Sequence, residues 1–122
     1  MNCLLELDQL NNRYFAMRHG HSLANQQSII VSQPENGLDG FGLSNRGRLQ
    51  IRESLQQFSV SSANVIIVSS DFCRARESAE IAAQSLDAIE AINFDPRLRE
   101  RNFGELELTA DSGYADVWEA NA

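Results

Sequence analysis

Val65-Ile66-Ile67-Val68 constrains the fold most, because consecutive β-branched residues suit a strand and leave no polar face to turn toward water. Such a run is expected in a parallel strand covered on both faces. It is closed by Ser69-Ser70-Asp71, a helix-start signal, and a helix is expected to follow, with Arg74 in its first turn and Ala75, Ala79, Ala82 and Leu86 at helical spacing. A second apolar run, Tyr14-Phe15-Ala16-Met17, ends at Arg18-His19-Gly20 before a helix-like stretch that opens at Ser22. Ser44 is expected to cap a further helix with Ile51, Leu55 and Phe58 on its inner face, and Ile89 to Phe94 is a third strand candidate closed by Asp95-Pro96. Strand, helix, helix, strand, helix, strand predicts an α/β chain, a three-layer α/β/α sandwich with a largely parallel sheet. Leu4, Leu7 and Leu10 fit either one helical face or an edge strand leading into Arg13.

Ligands of open α/β sheets bind beyond the carboxyl ends of the strands, where Arg18, His19 and Arg74 are all expected. An Arg fork grips a phosphoryl group with two hydrogen bonds. Gly20 is expected to take a backbone conformation denied to other residues, and the helix start at Ser22 to offer free N–H groups to an anion. If the strands are parallel and close, Arg18 and Arg74 converge, and two cations brought together call for an anion between them. A structural His at a strand end beside a surface Arg is the plainer reading of the tripeptide.

These residues resemble the histidine phosphatase superfamily, the phosphoglycerate mutase-like proteins, whose signature is Arg-His-Gly after the first strand. The resemblance runs from about Tyr14 to Gly104 and includes Arg18-His19-Gly20-His21-Ser22 with Asn25, Leu43-Ser44-Asn45-Arg46-Gly47, Ser69-Ser70-Asp71-Phe72-Cys73-Arg74-Ala75, and Leu98-Arg99-Glu100-Arg101-Asn102-Phe103-Gly104. It implies that His19 attacks the phosphoryl group, that Glu100 is the proton donor, and that Arg18, Asn25 and Arg74 hold the oxygens. No metal or other cofactor is implied. The family completes its phosphate pocket with a second His before a Gly on a late strand, and no histidine follows His21 here. With Tyr114 to Trp118 reading as a helix in progress, residues 1–122 are expected to be the N-terminal part of a single domain of this family, with the sheet and site truncated.

In the implied mechanism His19 must be neutral to offer a lone pair, and the Arg charges are expected to lower its pKa. Glu100 stands between Arg99 and Arg101, which keep it ionised if their side chains point its way, whereas a bound phosphate dianion favours its protonated form. The implied activity is phosphomonoester hydrolysis through a phosphohistidine. Phosphoglycerate mutase-type transfer and a catalytically silent phosphate-binding or interaction module are the alternatives. Family mutases carry a Tyr after the acidic residue and basic residues beyond it; here Phe103 takes the first place, and Glu105 to Ala122 contains no Arg or Lys. That pattern favours hydrolysis.

The net charge of −7 disfavours nucleic acid and anionic membranes as partners and leaves a small phosphorylated substrate as the expected one. All ten basic residues are Arg, so a Schiff-base Lys and a P-loop Lys are both excluded. No apolar stretch is long enough to span a membrane, and Glu6 interrupts the N-terminus too early for a signal peptide, so a cytoplasmic location is expected. Rival chemistries fit less well. Gly20-His21-Ser22 imitates a serine-hydrolase elbow but has no later His to act as base. Cys73 has Ala79, not Arg, six positions on, unlike cysteine phosphatases, and His19 with His21 lacks further metal ligands at suitable spacing. The turn-rich stretch from Val31 to Gly42 is either a substrate-selecting loop or a connector.

Overall fold

The structure, a computed structural model, describes residues 4–7, 13–58 and 65–113. Strand β1 (Leu4–Leu7) pairs antiparallel with β2 (Tyr14–Met17), Leu4 opposite Met17 and Leu7 opposite Tyr14. The N-terminal leucine pattern is therefore a strand, as far as Leu7; Leu10 lies outside the described residues, as does the helix expected over Tyr114 to Trp118. Short helices α1 (Leu23–Gln26) and α2 (Pro34–Gly37) precede α3 (Asn45–Gln56). Then come β3 (Val68–Ser69), α4 (Cys73–Ser85) and β4 (Asn93–Phe94), with single 3₁₀ turns at Pro96–Leu98 and Gly104–Leu106.

β3 and β4 pair in parallel, Val68 opposite Asn93 and Ser69 opposite Phe94, so β3-α4-β4 is a strand-helix-strand crossover of the kind that parallel pairing requires. The α/β class follows from this unit. The β-branched run departs from expectation: only Val68 of the four lies in the strand, and Ile66 and Val68 are 69% and 54% exposed. Continuous β-branching marks extended backbone, but whether both faces are covered depends on neighbours that local sequence does not specify. Among the described residues β2 and β3 share no sheet.

The core lies between α3 and α4. Leu43, Ile51, Leu55, Ile81 and Ala82 form it, with Met17, Phe58, Ile67 and Leu86 packed on its border. Ser44 caps α3 by accepting from the Gly47 N–H at 3.1 Å, and the inner face is the one its apolar spacing predicts. Phe58, just past the helix, meets Phe15 of β2 edge to face at 4.5 Å, tying that strand to the core. α4 starts differently from expectation: Phe72 occupies the cap position without a side-chain bond, and Ser70 instead accepts from the Phe72 N–H at 3.2 Å.

The turn after β2 presses directly on α3. A Cβ at Gly20 would stand 2.5 Å from the Gly47 carbonyl oxygen, and one at Gly47 would collide with the backbone of His21. Gly20 is thus demanded by close backbone approach rather than by an unusual dihedral; among the described glycines only Gly104 has a left-handed φ. The approach is fixed by hydrogen bonds from the Ser44 N–H to the His21 carbonyl (3.0 Å) and from the Leu23 N–H to the Gly42 carbonyl (2.8 Å).

Candidate active site

All five residues singled out in the sequence, Arg18, His19, Asn25, Arg74 and Glu100, line one cavity of about 510 Å³. They arrive from the end of β2, the first turns of α1 and α4, and the segment after β4. Strand pairing between β2 and β3 is not what brings the two arginines together. The first turn of α4 does so, carrying Arg74 beneath the β2 turn, where Ser78 one turn later accepts from the Gly20 N–H (3.1 Å) and donates to the Arg74 carbonyl (2.8 Å).

His19 Nδ1 lies 2.7 Å from the Gly20 carbonyl oxygen. A carbonyl only accepts, so Nδ1 holds the proton and Nε2 keeps its lone pair, the tautomer a nucleophile needs. Burial is the largest influence on this imidazole and pushes its pKa below the ordinary 6.5; Arg74 and Arg18 push the same way, against the Gly20 hydrogen bond and the Glu100 carboxylate. The direction is the expected one, but desolvation outranks the arginine charges as its cause.

Arg74 is only 6% exposed and its guanidinium is held on several sides. Nη1 donates to the Val31 carbonyl at 2.6 Å, Nη2 donates to Glu100 Oε2 at 3.2 Å, and Phe72 lies beneath the group at 5.2 Å. Arg18, by contrast, is exposed and has no carboxylate partner among the described residues. The partner of Glu100 is thus Arg74. Arg99, expected to bear on Glu100, instead forms a two-bond pair with Asp71 at 2.7 and 2.6 Å, and Arg101 lies over the Phe103 ring.

The start of α1 also differs from expectation. Ser22 and Asn25 form a reciprocal capping box, Ser22 N–H to Asn25 Oδ1 at 3.0 Å and Asn25 N–H to Ser22 Oγ at 3.1 Å, while the Leu23 N–H is taken by Gly42. These amides already have partners. The box does fix the Asn25 amide: its oxygen faces donors, so its NH₂ is left as the group that can donate into the cavity. His21 joins the local scaffold, with Nδ1 2.7 Å from the Ser44 hydroxyl.

Several contributors escaped the sequence reading. Arg46 and Gln50 of α3 line the cavity, and the Gln50 side-chain oxygen accepts from the His21 N–H at 3.0 Å. Arg46 had a signal in its position just before Gly47, the Val31 carbonyl had none. Glu77 of α4 accepts from the Leu43 N–H at 2.8 Å and pairs with Arg48. Cys73 is not an activated thiol, since burial and then the neighbouring Glu77 carboxylate push its pKa up. Among the described residues no three His, Cys, Asp or Glu side chains gather as a metal site, and no helix is long and apolar enough to cross a membrane.

The sequence profile of the histidine phosphatase superfamily (branch 1) matches residues 14–121. The chain belongs to this superfamily. Over 93 residues it is 33% identical to the probable phosphoglycerate mutase GpmB of Escherichia fergusonii, a match that covers 76% of this chain and 40% of that protein. The chain thus spans well under half the length of this relative. Among solved structures it is similar to mycobacterial hydrolase 1 (TM-score 0.63, 27% identity, 85% of this chain and 47% of that one). It is also similar to a mycobacterial glucosyl-3-phosphoglycerate phosphatase in complex with VO₃ (TM-score 0.61, 28% identity, 85% and 48%). The superfamily's α/β fold is therefore shared here.

Proposed function

We propose that the protein is a phosphomonoester hydrolase of the cytoplasm that acts on a small phosphorylated metabolite through a phosphohistidine at His19, and that residues 1–122 form the N-terminal part of its single catalytic domain. The observation that carries this reading is the placement of the free His19 Nε2 in a cavity shared with Arg18, Arg74 and Glu100. Charge supports it. Glu100 offsets Arg74, while Arg18 and Arg46 meet no carboxylate among the described residues, leaving two positive charges for a phosphomonoester dianion.

In the first step the Nε2 lone pair attacks phosphorus, the P–O bond to the leaving group breaks, and protonated Glu100 gives its proton to the departing oxygen. The incoming phosphoryl oxygens compete for Arg74 Nη2 and so release Glu100 from its ion pair. In the second step the Glu100 carboxylate takes a proton from water, the hydroxide attacks phosphorus, and the P–N bond breaks to free phosphate and His19. Arg18, Arg74 and the Asn25 NH₂ stabilise the charge on the equatorial oxygens.

Hydrolysis is favoured over phosphoryl return by the absence of Arg and Lys from Glu105 to Ala122 and by Phe103, which is buried at 7% exposure and unavailable to substrate. The mutase reading draws its support from the name of the bacterial relative. Assays with p-nitrophenyl phosphate and with 2- and 3-phosphoglycerate distinguish them: nitrophenol release without phosphoglycerate interconversion is expected. Interconversion would reverse the assignment, and phosphate binding without turnover would leave a silent module. Activity is expected to survive chelation and to be inhibited by vanadate; loss on chelation with recovery on adding a divalent ion would refute the metal-free scheme.

A further inference from the structure

We infer that Glu107 is a positioning residue for phosphoryl transfer: it locks the 28–36 segment against the 100–111 segment, so that the Val31 carbonyl aims Arg74 into the cavity with Glu100 beside it. This inference rests on the proposed roles of Arg74 and Glu100. Glu107 does not line the cavity, and its carboxylate is fully engaged elsewhere. Oε1 accepts from the Ser32 N–H (2.7 Å) and the Ser32 hydroxyl (2.7 Å), and Oε2 accepts from the Gln33 N–H (3.0 Å) and Asn36 Nδ2 (3.0 Å). Four donors from one loop saturate the lone-pair positions of a carboxylate.

Both ends of this clamp lead to the site. The Ser32 hydroxyl that donates to Glu107 also accepts from the Phe103 N–H at 2.9 Å, which ties the chain three residues beyond Glu100 to the same point. On the other side the clamp borders Val31, whose carbonyl receives Arg74 Nη1 at 2.6 Å, and Arg74 Nη2 in turn meets Glu100 at 3.2 Å. Glu107, Ser32, Val31, Arg74 and Glu100 thus form a closed circuit. Backbone bonds from Ile30 N–H to Thr109 O (2.9 Å), Leu108 N–H to Ile30 O (2.7 Å) and Asp111 N–H to Ser28 O (2.9 Å) zip the same two segments together.

An independent sign of over-determination lies beside Glu107. Leu108 sits at φ +61° and is 48% exposed. A bulky residue holds this left-handed conformation only where its surroundings impose it, and burial of its own side chain is not what does so. The bonds on either side of it hold the backbone there: those of the Glu107 carboxylate, the Leu108 N–H to Ile30, and Thr109 with Ile30 and Leu106.

The test compares Glu107→Gln, isosteric but with an NH₂ that must face two of the donors, with Ser32→Ala and with Glu105→Gln as control. Turnover of p-nitrophenyl phosphate, affinity for inorganic phosphate and His19 phosphorylation are measured in each. Glu107→Gln is expected to lower kcat/KM by about 100-fold, with most of the loss in kcat, and to weaken phosphate binding, because small misplacements of a charged donor cost rates of this order. Ser32→Ala should fall in the same direction by less, and Glu105→Gln should match the wild type. A merely structural role would lower thermal stability while leaving kcat and phosphate affinity unchanged well below the melting temperature; that result overturns the inference. Should Glu107→Gln not fold, Ser32→Ala decides, unchanged kcat being the contrary outcome. If wild-type His19 is not phosphorylated at all, the proposed function fails instead.

Discussion

The corner that presents His19 and the arm that presents Glu100 are held in different ways. At the corner, backbone meets backbone: Gly20 rests against Gly47, Ser44 and His21 exchange hydrogen bonds, and the α3–α4 core lies directly beneath. Along the arm from Asn93 to Thr109, exposed residues prevail, Phe94, Leu98 and Leu108 among them, and besides the backbone bonds of β4 to β3 and of Leu108 and Thr109 to Ile30 the attachments are carboxylates: Asp71 on Arg99, Glu100 on Arg74, Glu107 on the 32–36 loop. A nucleophile must be fixed to within fractions of an ångström and suits a packed setting. A proton donor must exchange partners during a cycle, and polar tethers permit that.

The sharpest break between the two regions should come from removing the proposed nucleophile. His19→Ala is expected to reduce turnover by at least about 10⁴-fold and to abolish the acid-labile, alkali-stable phosphoenzyme, since loss of an attacking group is not compensated by binding. Label that persists in this variant would remove His19 from the mechanism.

Next in size are the two arginines. Arg74→Gln should cost about 10²- to 10³-fold in kcat and also lower the melting temperature, because the Val31 carbonyl and Glu100 lose their partner. Arg18→Gln should lose activity alone, as the residue is exposed and makes no ion pair among the described residues. Equal melting temperatures for the two variants would show that Arg74 does not link the arm to the core.

A smaller effect separates the regions by stability. Gly47→Ala is expected to cost about 1–3 kcal/mol, since the added methyl meets the backbone of His21 and neither chain segment can retreat from the core. Asp71→Asn, which weakens a part-exposed tether, should cost about 0.2–1 kcal/mol. Urea unfolding of both variants checks the order, and a reversal would mean that the arm carries more of the fold than its exposure suggests.

The smallest effect is in pH. The His19 pKa is lowered on folding, so stability from the corner is complete above about pH 6.5 and declines as pH falls from there toward the folded value, where the unfolded chain takes up the proton first. The acid limb of kcat/KM, which reports the free enzyme, should accordingly lie below pH 6.5. Arg99 lowers the Asp71 pKa; for Glu107, burial acts upward, but the donors of the 32–36 loop outweigh it and the value is also lowered. Their contribution is complete above the ordinary carboxylate values of 3.8 and 4.5 and is lost as pH falls through the lower folded ones. Amide exchange followed from pH 7 to 3 should therefore show the corner weakening before the arm, and simultaneous loosening would contradict two separately held regions.

Local order determined the helices over Asn45–Gln56 and Cys73–Ser85, the Ser44 cap, the α/β alternation and, of the cavity, Arg18, His19 and Arg74, because spacing, capping and short motifs act within a few residues of chain; Asn25 and Glu100 were legible only through the family resemblance. Tertiary structure decided what each of those groups touches. That Gly20 answers to Gly47, that Glu100 faces Arg74 while Arg99 turns to Asp71, and that Glu107 organises a loop some seventy residues away depend on contacts between distant segments. A charged side chain among several opposite charges has no partner specified by its own neighbours in sequence. Geometry chooses it, through burial that makes an unpaired charge costly and a backbone course that leaves one partner within reach.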